Sequence, residues 1–137
     1  MQTAKIKWVA REEFLATMPS GHVVPFDADR KHNTAPGPME MLLGALGACT
    51  SVDVVSILEK KRQKLATLEI EISGERAKEP PSVWTKIEMF YRLSGLLEEK
   101  AVRDAIELSQ NKYCSVAAML RKTAEITYRF EIVPEHP

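Results

Sequence analysis

Two cysteines, Cys49 and Cys114, are the residues of this chain best suited to chemistry on a small molecule. A thiolate can attack the O–O bond of a peroxide and become a sulfenic acid, and a second thiol that reaches it closes a disulfide and releases water. The two cysteines are 65 positions apart, and both lie in small-residue segments with a helical pattern. The pair suggests thiol-based peroxide reduction. Two unrelated buried thiols remain an alternative, since free cysteine behaves as a small hydrophobe.

The surroundings of the two cysteines add detail to this hypothesis. Cys114 follows the polar stretch 109–113, so it is expected near a helix N-terminus, where the partial positive charge favours a thiolate. Asp53 lies one helical turn after Cys49, and we interpret it as a hydrogen-bonded helix carboxylate. Such chemistry also needs a cation, normally an arginine, held in place by a carboxylate.

Other catalytic motifs are absent from the sequence. It contains no G-x-S-x-G, phosphate-binding loop, G-x-G-x-x-G or C-x-x-C. The three histidines, His22, His32 and His136, have no metal-ligand spacing to each other or to the cysteines. We therefore expect neither a metal nor a cofactor.

The element that must position Cys49 is the stretch 38–64, PMEMLLGALGACTSVDVVSILEKKRQK. It begins with a proline suited to the first helical position and ends in cations that complement a helix C-terminus. Its middle is apolar or small on almost every side, which predicts a buried central helix. We do not expect a membrane span, because Asp53 interrupts an apolar run shorter than the ~20 residues that a bilayer needs.

Alternating apolar residues predict strands on both sides of this helix. Three short strands are expected before residue 27, a hairpin between residues 68 and 93, and a last strand over 124–132. A second helix is predicted over 97–110, broken at 109–113 and resumed at 114–120. The order β-β-β-α-β-β-α-β predicts an α+β fold with antiparallel sheets, in a single domain spanning residues 1–137.

A helix that is apolar on all sides needs cover on both faces, and one small sheet can cover only one of them. A second copy of the chain is the simplest source of the other layer, so we expect a homodimer with the helices in its centre. The chain has 137 residues, 45% of them apolar, and a formal net charge of zero. This balance argues against nucleic-acid or membrane partners. Without a signal-peptide pattern, we expect a cytoplasmic protein.

The motif P-M-E-M-L-L-G-A-L-G-A-C, with Y-C-S-V-A-A-M-L around the second cysteine, resembles the OsmC/Ohr family. This family comprises the osmotically inducible protein C and the organic hydroperoxide resistance proteins. The resemblance covers nearly the whole chain, including the order of its elements. It implies an intertwined homodimer with two central helices flanked by antiparallel sheets.

The resemblance further implies a cysteine-dependent peroxidase that prefers organic hydroperoxides and is re-reduced by a dithiol. Cys49 would be the attacking thiol and Cys114 the resolving one. The chain departs from the family where active members have a glutamate ten positions before the first cysteine, because Met39 stands there and Glu40 follows it. The arginine of the family could be Arg11 or Arg30. The pattern is typical of a divergent OsmC-like branch.

Three functions are compatible with these observations. The first is hydroperoxide reduction by Cys49 and Cys114. The second is a non-catalytic dimer that binds a small apolar ligand between its helices, which Met39 favours. The third is a redox-stress sensor in which the same disulfide forms but turnover is slow. The presence of both cysteines at the family spacing favours the first or the third.

Overall fold

A computed structural model describes residues 1–134 of the chain. His136 therefore lies outside the described residues. The chain divides into two compact units, the first spanning residues 1–42 and the second beginning at Leu43. Within the described part, strands and helices follow the predicted order, and the mixed α+β fold class is confirmed.

The first unit contains an antiparallel meander of three strands. They are β1 (Lys5–Ala10), β2 (Glu13–Thr17) and β3 (Val23–Asp27). We predicted an inward face for β1, but Ile6 and Trp8 are 60% and 65% exposed in the single chain. Because their alternation predicts a covered face, these side chains identify a surface that this chain alone leaves open.

Helix α1 (Pro38–Lys60) is the predicted central helix. It ends four residues before the predicted boundary because Arg62 adopts a left-handed conformation with φ 57°. The N–H groups of Gln63 and Arg62 donate to the carbonyl oxygens of Leu58 and Glu59, at 2.9 Å each. This is a Schellman motif, which satisfies the last carbonyls of a helix.

Only one face of α1 is buried within the chain. The buried residues recur at every fourth position: Leu46, Thr50, Val54 and Leu58. The prediction of burial on all sides is therefore wrong for the single chain, and Val52 is 69% exposed. We expected no membrane span because Asp53 interrupts a short apolar run, but the whole helix, with 23 residues and a mean hydropathy of 1.9 over its most apolar window, is long and apolar enough to cross a membrane. The packed stripe and the polar interactions of Asp53 nevertheless favour a core helix.

The second unit contains a sheet in the order β4–β5–β6. Strands β4 (Lys64–Arg76) and β5 (Trp84–Leu96) form the predicted hairpin, which is longer than the sequence pattern indicated. Strand β6 (Glu125–Ile132) pairs with β5 in parallel, so the expectation of a purely antiparallel sheet is wrong at this pair. The reason is the helical crossover between the two strands, which returns the chain to the end of the sheet where β5 began.

The crossover consists of α2 (Glu99–Leu108), a π-helical turn (Ser109–Tyr113) and α3 (Ser115–Leu120). The polar sequence SQNKY was predicted to break the helix, and it forms the π-helical turn. Cys114 lies between this turn and α3. The break predicted from the sequence is therefore confirmed, and it places Cys114 at the start of a new helix.

The core of the second unit lies between the sheet and the helices. Alternate residues of β5 contribute Ile87, Met89, Tyr91 and Leu93, all fully buried or nearly so. They pack with the buried stripe of α1 and with α2. A side chain at Gly47 would begin 2.9 Å from Ile72 Cδ1, so this glycine allows α1 to approach β4 closely.

Candidate active site

Cys49 lies in the middle of α1 and is partly buried. It directly precedes Thr50, a member of the buried stripe, so its side chain lies beside the face that packs into the core. This leaves Cys49 more accessible than Cys114, which is only 3% exposed.

Cys114 is the N-cap residue of α3, and its sulfur accepts a hydrogen bond from the Ala117 N–H at 3.4 Å. The predicted position at a helix N-terminus is therefore confirmed. Burial, however, raises the pKa of the Cys114 thiol to about 11, against the weaker opposing effect of the Ala117 N–H. The expectation of a thiolate at Cys114 is wrong, because desolvation of the charged form outweighs the helix terminus.

The structure brings the two predicted cysteines together. The hydrogen bond between the two thiols further raises the pKa of Cys114, as does the charge of Asp53. At neutral pH Cys114 is therefore a protonated S–H group beside Cys49. The two thiols differ in their surroundings: Cys114 is buried and protonated, and Cys49 is partly accessible.

The Asp53 carboxylate is hydrogen-bonded to the helical crossover between β5 and β6. Its Oδ2 accepts a hydrogen bond of 2.8 Å from the Ser109 hydroxyl. The interpretation of Asp53 as a hydrogen-bonded carboxylate is therefore confirmed. Since Asp53 lies on α1 and Ser109 opens the π-helical turn, this bond ties the segment before Cys114 to the helix that carries Cys49.

A buried chain of polar side chains continues from Ser109. The Thr50 hydroxyl lies 2.7 Å from the hydroxyls of both Ser109 and Tyr91. The Gln110 amide donates to the Tyr91 hydroxyl at 2.6 Å, and burial raises the pKa of Tyr91. Sequence reasoning missed this network. Its one visible signal was a polar break, SQNKY, inside an otherwise apolar helical region.

Arg30, one of the two candidate arginines, serves its own loop. Its guanidinium donates to the carbonyl oxygen of Asp27, to that of Ala35 at 3.1 Å, and to the side chain of Asn33 at 3.1 Å. Glu40 accepts a hydrogen bond of 3.1 Å from the Gly37 N–H and lies 3.8 Å from Arg30. These contacts make Glu40 a capping residue for the first turn of α1.

Arg11, the other candidate arginine, is exposed and held by a carboxylate. Its Nη2 lies 2.5 Å from Glu13 Oε2 and 3.3 Å from His32 Nε2. Arg11 itself occupies a left-handed turn with φ 49°. Arg11 and Glu13 therefore form an exposed arginine–carboxylate pair within the first unit.

Glu13, Asp27 and His32 present ligand atoms within 4.8 Å of one another, so we tested them as a metal site. Asp27 Oδ2 already accepts from the Thr34 hydroxyl at 2.7 Å, from His32 Nδ1 at 2.8 Å and from the Thr34 N–H at 3.1 Å. The hydrogen bonds from Thr34 and His32 lower the pKa of Asp27. Because Arg11 already supplies a cation to this cluster, the geometry suits a loop-holding network better than a metal site.

The first unit also contains an apolar cavity of about 330 Å³. Its lining residues are Ile6, Phe14, Phe26 and Pro38. Met39, which stands at the expected glutamate position, follows Pro38 as the second residue of α1 and is partly buried.

Comparison with known proteins gives three kinds of match. Residues 31–129 match the model of the OsmC-like protein family. The chain is 43% identical over 131 residues to Protein YhfA of Escherichia coli (strain K12), covering 95% of this chain and 97% of that protein. It is 32% identical to a hypothetical protein from Aquifex aeolicus, whose crystal structure superposes with a TM-score of 0.89 over 99% of this chain and 98% of that one.

A more distant solved structure bears a functional name. It is an organic hydroperoxide resistance protein from Elizabethkingia anophelis, with a TM-score of 0.70. The two chains are 11% identical, and the match covers 97% of this chain and 98% of that one. At this identity the likeness shows a shared fold alone.

Proposed function

The chain belongs to the OsmC-like protein family, and on that premise we propose that it reduces organic hydroperoxides with Cys49 as the attacking thiol and Cys114 as the resolving thiol. One observation carries this proposal: Cys49 lies near enough to Cys114 to raise its pKa, and Cys114 is buried while Cys49 is partly accessible. Similarity in fold to proteins named for organic hydroperoxide resistance supports the substrate class.

The reaction has two steps on the protein. The Cys49 thiolate attacks the distal peroxide oxygen, the O–O bond breaks, and the leaving alkoxide takes a proton to become an alcohol. Cys49 is then a sulfenic acid. The Cys114 sulfur attacks the Cys49 sulfur, the S–O bond breaks, and the Cys114 proton leaves with the hydroxyl group as water. A dithiol reductant then exchanges with the disulfide and returns both thiols.

The assignment of the two roles follows from accessibility and protonation. A peroxide must reach the attacking sulfur, and Cys49 is the less buried of the two. Burial raises the pKa of Cys114 to about 11, so this thiol is protonated at neutral pH and does not compete as the attacking thiolate. The buried thiol is in turn well placed to meet the sulfenic acid as soon as it forms.

Arg11 is the better candidate for the cation of this reaction. Arg30 donates to backbone carbonyls of its own loop and lies 3.8 Å from Glu40, whereas Arg11 makes the shorter pair, 2.5 Å, with the carboxylate of Glu13. The pairing leaves Arg11 exposed, with its side chain 58% accessible. We therefore propose Arg11, paired with Glu13, as the first arginine to substitute in a test for the cation that this chemistry needs.

We also propose that the active form is a homodimer. The single chain exposes large apolar side chains on the first unit and on α1, among them Ile6, Trp8, Val23, Val52 and Val55. Large apolar side chains exposed in such number on each unit mark an interaction site. A second copy would bury the open face of α1, as the sequence pattern of the helix requires.

Thiol counting by mass spectrometry tests the function directly. The reduced protein is treated with one equivalent of cumene hydroperoxide and digested without reductant. We expect a rapid loss of two hydrogens, about two daltons, in a cross-linked peptide pair containing Cys49 and Cys114. Two intact thiols after treatment would reject the peroxidase proposal.

A second candidate function is binding of a small apolar ligand without catalysis. The observation that favours it is the cavity in the first unit, whose lining is entirely apolar. In that case an apolar ligand raises the melting temperature equally in the wild type and in the Cys49→Ser/Cys114→Ser double variant. A ligand effect that depends on the cysteines would exclude this candidate.

A further inference from the structure

We propose that the buried hydrogen-bond chain from Gln110 to Asp53 is a positioning device for Cys114, which holds the π-helical turn before this cysteine against α1 and β5. This inference rests on the proposed function for its role in catalysis. The members of the chain are Gln110, Tyr91, Thr50, Ser109 and Asp53. They are positioning residues, since the two sulfurs carry out the chemistry.

The direction of every hydrogen bond in the chain is determined. As a carboxylate, Asp53 can only accept, so the single hydroxyl proton of Ser109 points to it. Thr50 must then donate to Ser109, and Tyr91 must donate to Thr50. The Tyr91 oxygen is left as the acceptor for the amide of Gln110, as the geometry shows.

A cation stands at the other end of the chain. Arg121 Nη2 donates to Gln110 Oε1 at 3.2 Å, which orients the amide so that its N–H groups face Tyr91. The hydrogen bonds therefore all run one way, from the guanidinium of Arg121 to the carboxylate of Asp53. Such chains strengthen cooperatively in a low-dielectric core, and each member is costly to leave unpaired.

The hydrogen-bond chain holds the backbone that carries Cys114. Ser109 and Gln110 are adjacent in sequence and buried together, with exposures of 0% and 1%. The Cys114 N–H donates to the Ser109 carbonyl at 2.8 Å, the five-residue bond that defines a π-helix. Ser109 thus holds Cys114 through its carbonyl and holds α1 through its hydroxyl.

Placement of this kind matters because disulfide geometry is narrow. Two cysteines can be bridged only when their Cα atoms are about 4.4–6.8 Å apart and their side chains converge. Cys49 is fixed on α1, next to Thr50, while Cys114 lies in a break between helices. The hydrogen-bond chain therefore fixes the one thiol whose backbone is not held inside a regular helix.

The test compares two serine variants. Ser109→Ala removes the hydroxyl that joins the turn to α1. Ser94→Ala is the control, because Ser94 is also buried, at 2% exposure, and its hydroxyl shares a hydrogen bond of 2.5 Å with Thr67 on the neighbouring strand, away from Cys114. Both variants lose one buried hydroxyl, but only the first loses the tie to Cys114.

The primary measurement is the thiol–disulfide equilibrium of Cys49 and Cys114 against oxidised and reduced dithiothreitol. We expect Ser109→Ala to shift this equilibrium toward the dithiol by about tenfold, and Ser94→Ala to shift it by less than about twofold. Equal shifts in both variants would mean that these hydrogen bonds only stabilise the fold and do not position Cys114, which would overturn the proposal. The measurement needs no peroxide, so it stands even if the peroxidase proposal fails.

A second measurement tests the same proposal if Ser109→Ala does not fold. Thr50→Val breaks the chain at its centre with little change in volume, whereas Thr50→Ser keeps the hydroxyl. With cumene hydroperoxide, Thr50→Val should raise the ratio of Cys49 sulfinic acid to disulfide, and Thr50→Ser should restore the wild-type ratio. Identical ratios in the two Thr50 variants would overturn the positioning role. A wild type that forms the disulfide with dithiothreitol but does not respond to peroxide would instead overturn the proposed function.

Discussion

The two thiols differ because of their local environments rather than their type. Cys114 caps α3 and accepts from the Ala117 N–H, yet its pKa is raised to about 11 because burial dominates. Cys49 is the more accessible sulfur. The asymmetry supports one attacking and one resolving thiol.

Single cysteine variants separate these two roles. Cys49→Ser should abolish hydroperoxide consumption, since it removes the attacking sulfur. Cys114→Ser should allow one turnover and leave Cys49 as a sulfenic acid, which excess peroxide converts to sulfinic acid. Mass spectrometry with a sulfenic-acid trap measures both outcomes. Equal activity in the two variants would contradict the assignment.

The raised pKa of Cys114 predicts a pH dependence of stability. The folded pKa is about 11 and that of an unfolded thiol is 9.0, so the folded state holds this proton more tightly. The contribution, on the order of 2 kcal/mol, is fully present below pH 9 and is lost as the pH rises toward 11. Urea unfolding of reduced wild type and of Cys114→Ser across this range isolates it. A constant difference between the two proteins would argue against a buried, protonated Cys114.

The sequence indicated which residues are candidates but not how they are arranged. Cys49 and Cys114 were identifiable because thiols in helical, small-residue segments are uncommon enough to stand out. The network of Thr50, Tyr91 and Ser109 was not, since hydroxyl residues on three separate elements meet only through tertiary packing. The outcome at Cys114 was also out of reach, because desolvation depends on neighbours that are distant in sequence.

At the scale of elements, the sequence patterns predicted which helices and strands exist and in what order, but predicted less well where they end and how the strands pair. The apolar alternation of β5 and β6 located both strands, but their parallel pairing depends on the crossover between them. The end of α1 depends on a left-handed Arg62, which no residue preference at that position signals. The polar break was predictable because SQNKY interrupts an apolar helical pattern.

At the N-terminus of α1, a variant of Glu40 can show whether this residue caps the helix or takes part in catalysis. Glu40 accepts the Gly37 N–H and lies beside Arg30, so Glu40→Ala should destabilise the fold by about 0.5–1 kcal/mol through loss of the cap. Hydroperoxide turnover per folded molecule should be unchanged. Chemical denaturation and peroxide assays measure the two effects, with Glu12→Ala in the exposed β1–β2 turn as control. A large loss of turnover at normal stability would show that Glu40, rather than Glu13, holds the arginine.

At the scale of the molecule, the open apolar surface is the dominant feature. Helix α1 buries one stripe against its own sheet and exposes Val52 and Val55. The first unit exposes Ile6 and Trp8. A helix that packs one stripe against its own sheet and leaves its apolar back exposed favours a further layer, which the homodimer proposal supplies.

A charge on the open face of α1 should disrupt that layer. Val52→Glu places a carboxylate where the single chain is 69% exposed, so it costs little in a monomer and much in a dimer interface. Light scattering at micromolar concentration should show a dimer for the wild type and a monomer or an aggregate for the variant. Lys122→Glu, an exposed site after α3, serves as control. A wild-type monomer would reject the dimer.

The thiol pair joins α1 to the crossover between β5 and β6, across 65 positions of sequence. A disulfide there would close a long loop in the unfolded chain and lower its entropy, by an amount equivalent to about 4 kcal/mol. Oxidation would therefore make the protein harder to unfold and slower to be degraded. Because peroxide would form this disulfide, a higher peroxide concentration in the cell would lengthen the lifetime of the protein.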